Sequence, residues 1–119
     1  MTPPKQQITF GKFQNVDMRV ARVTAATKAE GTRAPCRVID LDLGDLGTRR
    51  SIGQFALLDE EDLVGRHLIV CINLGSREMG PYVSDALVMG VPHPKSPTDE
   101  SQAYPLFVPD DIPPGSEVF

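Results

Sequence analysis

The alternation of apolar and polar positions along the chain predicts a mainly β protein. In CRVIDLDL at 36–43, Ile39, Leu41 and Leu43 share one face and Asp40 and Asp42 the other, the two-residue period of a half-buried strand. MRVARVTA at 18–25 sets β-branched residues among charges, which suits a strand with one wet face. GDLG at 44–47 is a turn bounded by glycines, so TRRSIGQF at 48–55 reads as the return strand of a hairpin. HLIVCINL at 67–74 is almost continuously apolar, as in a strand covered on both faces. ALVMGV at 86–91 is a further short strand. YPLFV at 104–108 is another, which Pro105 confines to an edge.

Two helical pieces interrupt the strands. LLDEEDLVG at 57–65 opens on Asp59, Glu60, Glu61 and Asp62, where the helix dipole favours carboxylates, and closes at Gly65. The acidic cluster therefore reads as helix-start chemistry rather than a metal site. Thr9 is placed to cap a short helical stretch with Phe10, Phe13 and Val16 on its apolar side. So short a helix is unstable alone and must pack on the body or on a partner chain. Beyond residue 80 the chain changes character: it holds eight of the 11 prolines, and HPKSPTDESQ at 93–102 is a polar loop. The terminal stretch carries Leu106, Phe107, Ile112, Val118 and Phe119, and is expected to dock on the body or across a dimer interface. Five short strands with a small helix between the third and fourth is the element order of an all-β, five-stranded OB-fold Greek-key barrel. Residues 8–119 read as one domain and 1–7 as a flexible N-terminal extension.

Composition narrows the class. A chain of 119 residues that is 40% hydrophobic can bury one core without staples. No apolar run reaches the roughly 18 residues that suggest a membrane span. The first ten residues lack the apolar stretch of a secretory signal. Cys36 and Cys71 form no CxxC and are expected to be reduced thiols in a cytoplasmic protein. The net charge of −4 argues against a general polyanion binder. The charge is uneven, however: residues 1–77 carry a net +2 and residues 78–119 a net −6. Most of the positive charge is arginine, which forks to phosphate and stacks on bases.

Catalytic signatures are missing. The chain has no GxGxxG, GxxxxGK[ST] or GxSxG; His67 opens the apolar strand at 67–74 and reads as structural, and His93 has no Cys or His at metal-ligand spacing nearby. Ser51 and Ser84 have no evident base. The expectation is a protein that is not an enzyme and needs no cofactor or metal. Two polar clusters remain. TRRSIGQ at 48–54 sets Arg50, Ile52 and Gln54 on one strand face and Arg49, Ser51 and Gly53 on the other, so only one of these sets can line a groove. In NLGSREMGPYVSDALVMG at 73–90, a strand ends at Asn73 and a loop carries Ser76, Arg77, Met79, Gly80, Tyr82 and Ser84. In an OB-fold this is the loop between strands four and five, a usual binding loop. Its arginine, methionine, aromatic ring and hydroxyls suit a phosphate and an unpaired base.

The same segments carry a family resemblance. FQNVDMRVARV, RRSIGQFALLDEEDLVGRHLIVCINL, REMGPYVSDALVMG and PPGSEVF closely resemble the stand-alone tRNA-binding domain family, and within it the export-related, chaperone-like CsaA branch, from about Ile8 to Phe119. The resemblance implies an OB-fold homodimer that binds tRNA by shape. It also implies a capacity of this branch to bind unfolded or pre-secretory polypeptides. By motif position it marks Arg49, Arg50, Ser51, Gln54, Asn73, Arg77, Met79, Gly80 and Ser84 as tRNA-binding candidates. A polypeptide in the same groove would meet Phe55, Met79 and Tyr82. The implied dimer interface uses Phe10, Phe13, Val16, Leu106, Phe107, Val118 and Phe119. Ile52 departs from the family, in which a small hydroxyl residue is common there. Ala86–Leu87 departs from the Gly-Met step of synthetase-appended domains. The acidic C-terminal part lacks the lysines of strong tRNA binders, which strengthens the polypeptide-binding alternative. A third reading is a docking module for a synthetase.

Overall fold

The computed structural model describes residues 2–96 and 102–119, so the polar loop expected at 93–102 falls partly outside it. Five strands form the main path of a six-stranded sheet: β1 (Met18–Lys28), β2 (Arg37–Asp42), β3 (Thr48–Gly53), β4 (His67–Cys71) and, later in the chain, β10 (Phe107–Val108). Their order is β10-β4-β1-β2-β3, with antiparallel pairing throughout. The long strand β1 serves two neighbours, β2 along its second half and β4 along its first. A register shift between Val23 and Ala25 leaves Thr24 as the extra residue, and its hydroxyl donates to the Asp40 carbonyl at 3.2 Å. Such a bulge bends and twists the strand, which lets an open sheet curl into a barrel.

The expected two-residue period holds in β2. Ile39 and Leu41 are fully buried, with Leu43 just beyond, while Asp40 and Asp42 are half-buried on the other side. They pack with Ala21, Val23, Leu68 and Val70 in the main core. Leu63 joins this core from helix α2 (Glu60–Leu63), between β3 and β4 as expected. This helix is a single turn, shorter than the stretch 57–65 suggested. Asp59 takes the capping position without a side-chain bond, so the acidic residues act there through charge alone.

Several expectations need correcting. The stretch after Asn73 is not a plain loop: it folds into a hairpin of β5 (Arg77–Met79) and β6 (Tyr82–Ser84). This hairpin lies over the outer face of the sheet, so Val38 and Ile52 are buried with Ala29 and Cys36 beneath Met79 and Tyr82. The strand expected at 86–91 divides into β7 (Leu87–Val88), which pairs with β4, and β8 (Gly90–Pro92), which pairs with β9 (Ala103–Pro105). The strand expected at 104–108 divides likewise into β9 and the edge strand β10.

Both ends of the chain are tied to the barrel. Thr9 caps α1 (Phe10–Gln14), its hydroxyl accepting from the Lys12 amide at 3.2 Å. The Asn73 side chain accepts from the Asp17 amide at 2.9 Å and donates to the Asn15 carbonyl at 2.6 Å, fixing the exit of α1. The C-terminal segment docks along β1: the Gly115 amide donates to the Val20 carbonyl and the Val118 amide to the Met18 carbonyl. His67 holds the same segment, with Nδ1 2.8 Å from the Ile112 carbonyl oxygen. No helix among the described residues is long and apolar enough to cross a membrane.

Candidate functional site

The barrel is not closed by a strand ladder between β3 and β7. The free edge of β3 is met instead by the turn linking β6 to β7. Asp85 in that turn accepts from the Arg50 amide through its carboxylate at 2.8 Å and donates its own amide to the Arg50 carbonyl at 2.9 Å. One step along, the Ile52 amide donates to the Ser84 hydroxyl at 3.1 Å, and that hydroxyl donates to the Ala86 carbonyl. Beyond this point a cleft of about 530 Å³ opens between the two strands.

Five of the tRNA-binding candidates line this cleft, buried Ser51 and Ser84 and three that are not buried. Gln54 and Arg77 are exposed at its walls, and half-buried Met79 lies between the cleft and the smaller core. Arg77 is the one charged residue lining it, and among the described residues it has no acidic partner. Leu74, Leu87 and Met89 complete the wall, and Leu74 and Leu87 are largely exposed. Sequence reasoning did not single out these three. Leu74 closes one apolar run and Leu87 stands near the start of another, and no local signal separates a wall from a core position.

The other candidates are placed differently. Ser51 is 1% exposed, and Ser84 spends its hydroxyl inside the turn. Neither offers a free surface group. Arg50 lies on the outer face and not in the cleft, and its Nε donates to the Asp40 carboxylate at 2.8 Å. That hydrogen bond and the nearby negative charge hold the Arg50 guanidinium above its ordinary value. Arg49 points its Nη1 at the carbonyls of Ile72 and Asp85, at 3.1 and 2.9 Å. Asn73 is occupied by its two bonds at the exit of α1. Gly80 turns the β5–β6 hairpin at φ +59°, where a Cβ would stand 2.6 Å from the Gly31 carbonyl oxygen. Ser51 and Ile52 are both buried, and the expectation that only one face of TRRSIGQ can line a groove gives way, because Ser51 and Gly53 as well as Ile52 and Gln54 border the cleft.

Of the polypeptide candidates, Phe55 is a core residue, 4% exposed, its ring laid over Gly53. Tyr82 packs on the smaller core and accepts from the Glu30 amide at 3.1 Å. Only Met79 of the three combines exposure with a place on the cleft.

The interface candidates divide into two groups. Phe10, Phe13, Val16, Val118 and Phe119 line a second groove of about 420 Å³ beside the Arg19–Asp17 ion pair. Leu106 and Phe107 lie away from it. Phe107 sits opposite Leu68 in β4, packs on the main core and carries the Arg66 guanidinium 3.8 Å above its ring.

A family model described as "Putative tRNA binding domain" matches residues 18–117, which is nearly the whole barrel. The chain belongs to the tRNA-binding domain family. Its fold is close to those of two solved chaperones. The chaperone CsaA of Bacillus anthracis str. Ames superposes with a TM-score of 0.83 at 25% identity, covering 96% of this chain and 100% of that one. The CsaA chaperone of Picrophilus torridus gives 0.83 at 21% identity, over 95% of this chain and 100% of that one. Among curated proteins, a methionine–tRNA ligase of Francisella tularensis subsp. tularensis (strain SCHU S4 / Schu 4) is 35% identical over 83 residues, 70% of this chain. One from Thiobacillus denitrificans is 31% identical over 109 residues, 91% of this chain. The aligned parts are only 12% and 16% of those ligases. The chain thus matches the full length of the two chaperones and a small part of the two ligases.

Proposed function

We propose that the chain is a non-catalytic tRNA-binding module spanning residues 8–119, which recognises tRNA by shape along the β3–β7 cleft. The observation that carries this reading is Arg77, a cation without an acidic partner among the described residues, at the wall of the cleft in a tRNA-binding domain. A guanidinium free of carboxylates is available to a phosphate. Gln54 adds an amide for a nucleotide edge or a 2′-hydroxyl, and the apolar wall of Leu74, Met79 and Leu87 suits the face of an unpaired base. The test is fluorescence anisotropy of labelled bulk tRNA at about 50 and about 200 mM salt. Binding that weakens steeply with salt supports the reading, and no binding at the lower salt overturns it.

A second reading, a chaperone-like binder of unfolded or pre-secretory polypeptides, is favoured by the same wall. A cleft with one charge and several exposed apolar side chains accepts an extended peptide as readily as a base. Unlabelled basic signal peptide is the competitor that separates the two. Apolar capture responds weakly to salt, whereas phosphate contacts respond strongly.

The module is further proposed to be a homodimer. Phe10 at 72% exposure, Phe13, Val16 and fully exposed Phe119 form an apolar rim around the second groove. A second copy that covers this rim removes it from water. Both cysteines are free and buried, which fits the reducing conditions of the cytoplasm.

A further inference from the structure

We infer that Arg49 is a positioning residue of the cleft, a strut between its two walls and not a phosphate contact. This rests on the RNA-binding reading above and deepens it. Arg49 is half-buried on β3. Its Nη1 donates to the carbonyl of Ile72 at 3.1 Å and to that of Asp85 at 2.9 Å. Both carbonyls belong to the wall opposite β3, where β4 and β7 pair at Cys71 and Leu87. Ile72 directly follows β4 and leads into Leu74, Gly75 and Arg77. Asp85 leads into Ala86 and Leu87.

No strand ladder joins β3 to β7, so no continuous backbone pairing sets the spacing between β3 and the β4–β7 wall. The Arg49 guanidinium, carried on β3, reaches both segments of that wall instead. Among the described residues Arg49 has no carboxylate partner, so it acts here through the direction of its N–H groups. The neighbouring Arg50 grips Asp85 from the other side, through its backbone amide and carbonyl. The basic pair therefore holds one turn from two sides, and the arginine left facing outward at the cleft is Arg77.

Salt dependence separates a strut from a contact. The slope of log affinity against log salt counts neutralised phosphates, at about 0.7 to 0.9 per contact. Loss of a contact lowers both affinity and slope. Loss of a strut lowers affinity and leaves the slope unchanged.

The experiment compares the full chain with Arg49→Ala, Arg49→Gln and Arg77→Ala. Anisotropy with labelled bulk tRNA from about 50 to about 200 mM salt gives affinity and slope. Amide hydrogen exchange on the free protein gives local order at 72–76 and 85–88. Arg49→Gln is neutral and keeps an amide donor, so it stands in if the alanine variant does not fold. Both Arg49 variants are expected to lose about tenfold in affinity with an unchanged slope, and to exchange faster in those two segments. Arg77→Ala is expected to lose slope by about 1. A slope loss in Arg49→Gln equal to that of Arg77→Ala overturns the strut. Unchanged exchange at both segments overturns it too. If the unaltered protein shows no salt-dependent tRNA binding, the RNA reading fails by itself. The exchange result then decides the strut alone: faster exchange sustains it and unchanged exchange removes it.

Discussion

Asp85 and Arg50 exchange two hydrogen bonds across the free edge of β3, the Arg50 amide donating to the Asp85 carboxylate at 2.8 Å and the Asp85 amide to the Arg50 carbonyl at 2.9 Å. A turn residue thus does for β3 what a neighbouring strand does elsewhere in the sheet. The substitution covers only a short length. Past Ile52 and Ser84 the edge is released, and the cleft begins where this local pairing ends.

The outward charges at this end of the barrel are not equivalent. Arg50 is already paired with Asp40 at 2.8 Å, both half-exposed, whereas Arg77 is not paired among the described residues. Exposed pairs of this kind contribute about 0–1 kcal/mol to stability, so Asp40→Asn leaves the fold intact. It also removes a carboxylate that competes with phosphate for Arg50. Asp40→Asn is therefore expected to raise tRNA affinity in the anisotropy titration. A fall in affinity would mean that the pair itself is the recognised shape.

Gly80 belongs to the fold. At φ +59° an L residue is strained by about 1–2 kcal/mol, and a Cβ here also meets the Gly31 carbonyl oxygen at 2.6 Å. Gly80→Ala is expected to lower stability by more than that strain alone, read as a lower urea midpoint at an unchanged slope. Full stability would show that the hairpin turn and the loop around Gly31 move apart freely.

Burial pushes the Cys36 thiol up, and the nearby Thr32 hydroxyl opposes this only in part. An acid whose pKa is raised by folding keeps its proton longer in the folded state. Its contribution is complete below the unfolded thiol value of about 8.5 and is lost as pH rises through the folded value. The urea midpoint is expected to fall above about pH 9, and to fall less in Cys36→Ala. Thiol alkylation at pH 8 should be slow in the folded protein and fast in urea. An equal fall in both proteins would assign the alkaline loss to other groups.

The exposed rim of the second groove gives the proposed dimer a direct check. Phe10 and Phe13 stand on a one-turn helix and bury no part of the main core. Phe10→Asp and Phe13→Asp are expected to change stability by about 0.5 kcal/mol or less while shifting the mass by light scattering from dimer to monomer. A dimer that survives both substitutions uses another surface.

Much of the barrel was legible in the chain itself. The two-residue period of CRVIDLDL placed Ile39, Leu41 and Leu43 together, and the continuous run at 67–74 marked β4 as central. The glycine-bounded turn after Leu43 and the Thr9 cap were equally local, because turn and cap chemistry depend on residues a few positions apart. A period tells which side chains share a face, but not what later covers that face. Val38 and Ile52 are buried because a hairpin at 77–84 folds over them from far along the chain.

The same boundary divides the site. The residue types and spacing picked out TRRSIGQ and the stretch around Arg77, and the cleft does form between these segments. Which arginine faces solvent was settled only by folding. Arg49 finds the Ile72 and Asp85 carbonyls 23 and 36 residues away, and Arg50 finds Asp40 on the neighbouring strand. A guanidinium bonds equally to a phosphate, a carboxylate or a backbone oxygen. Its partner is set by which acceptor the packed chain brings within about 3 Å, a distance that exists only in three dimensions.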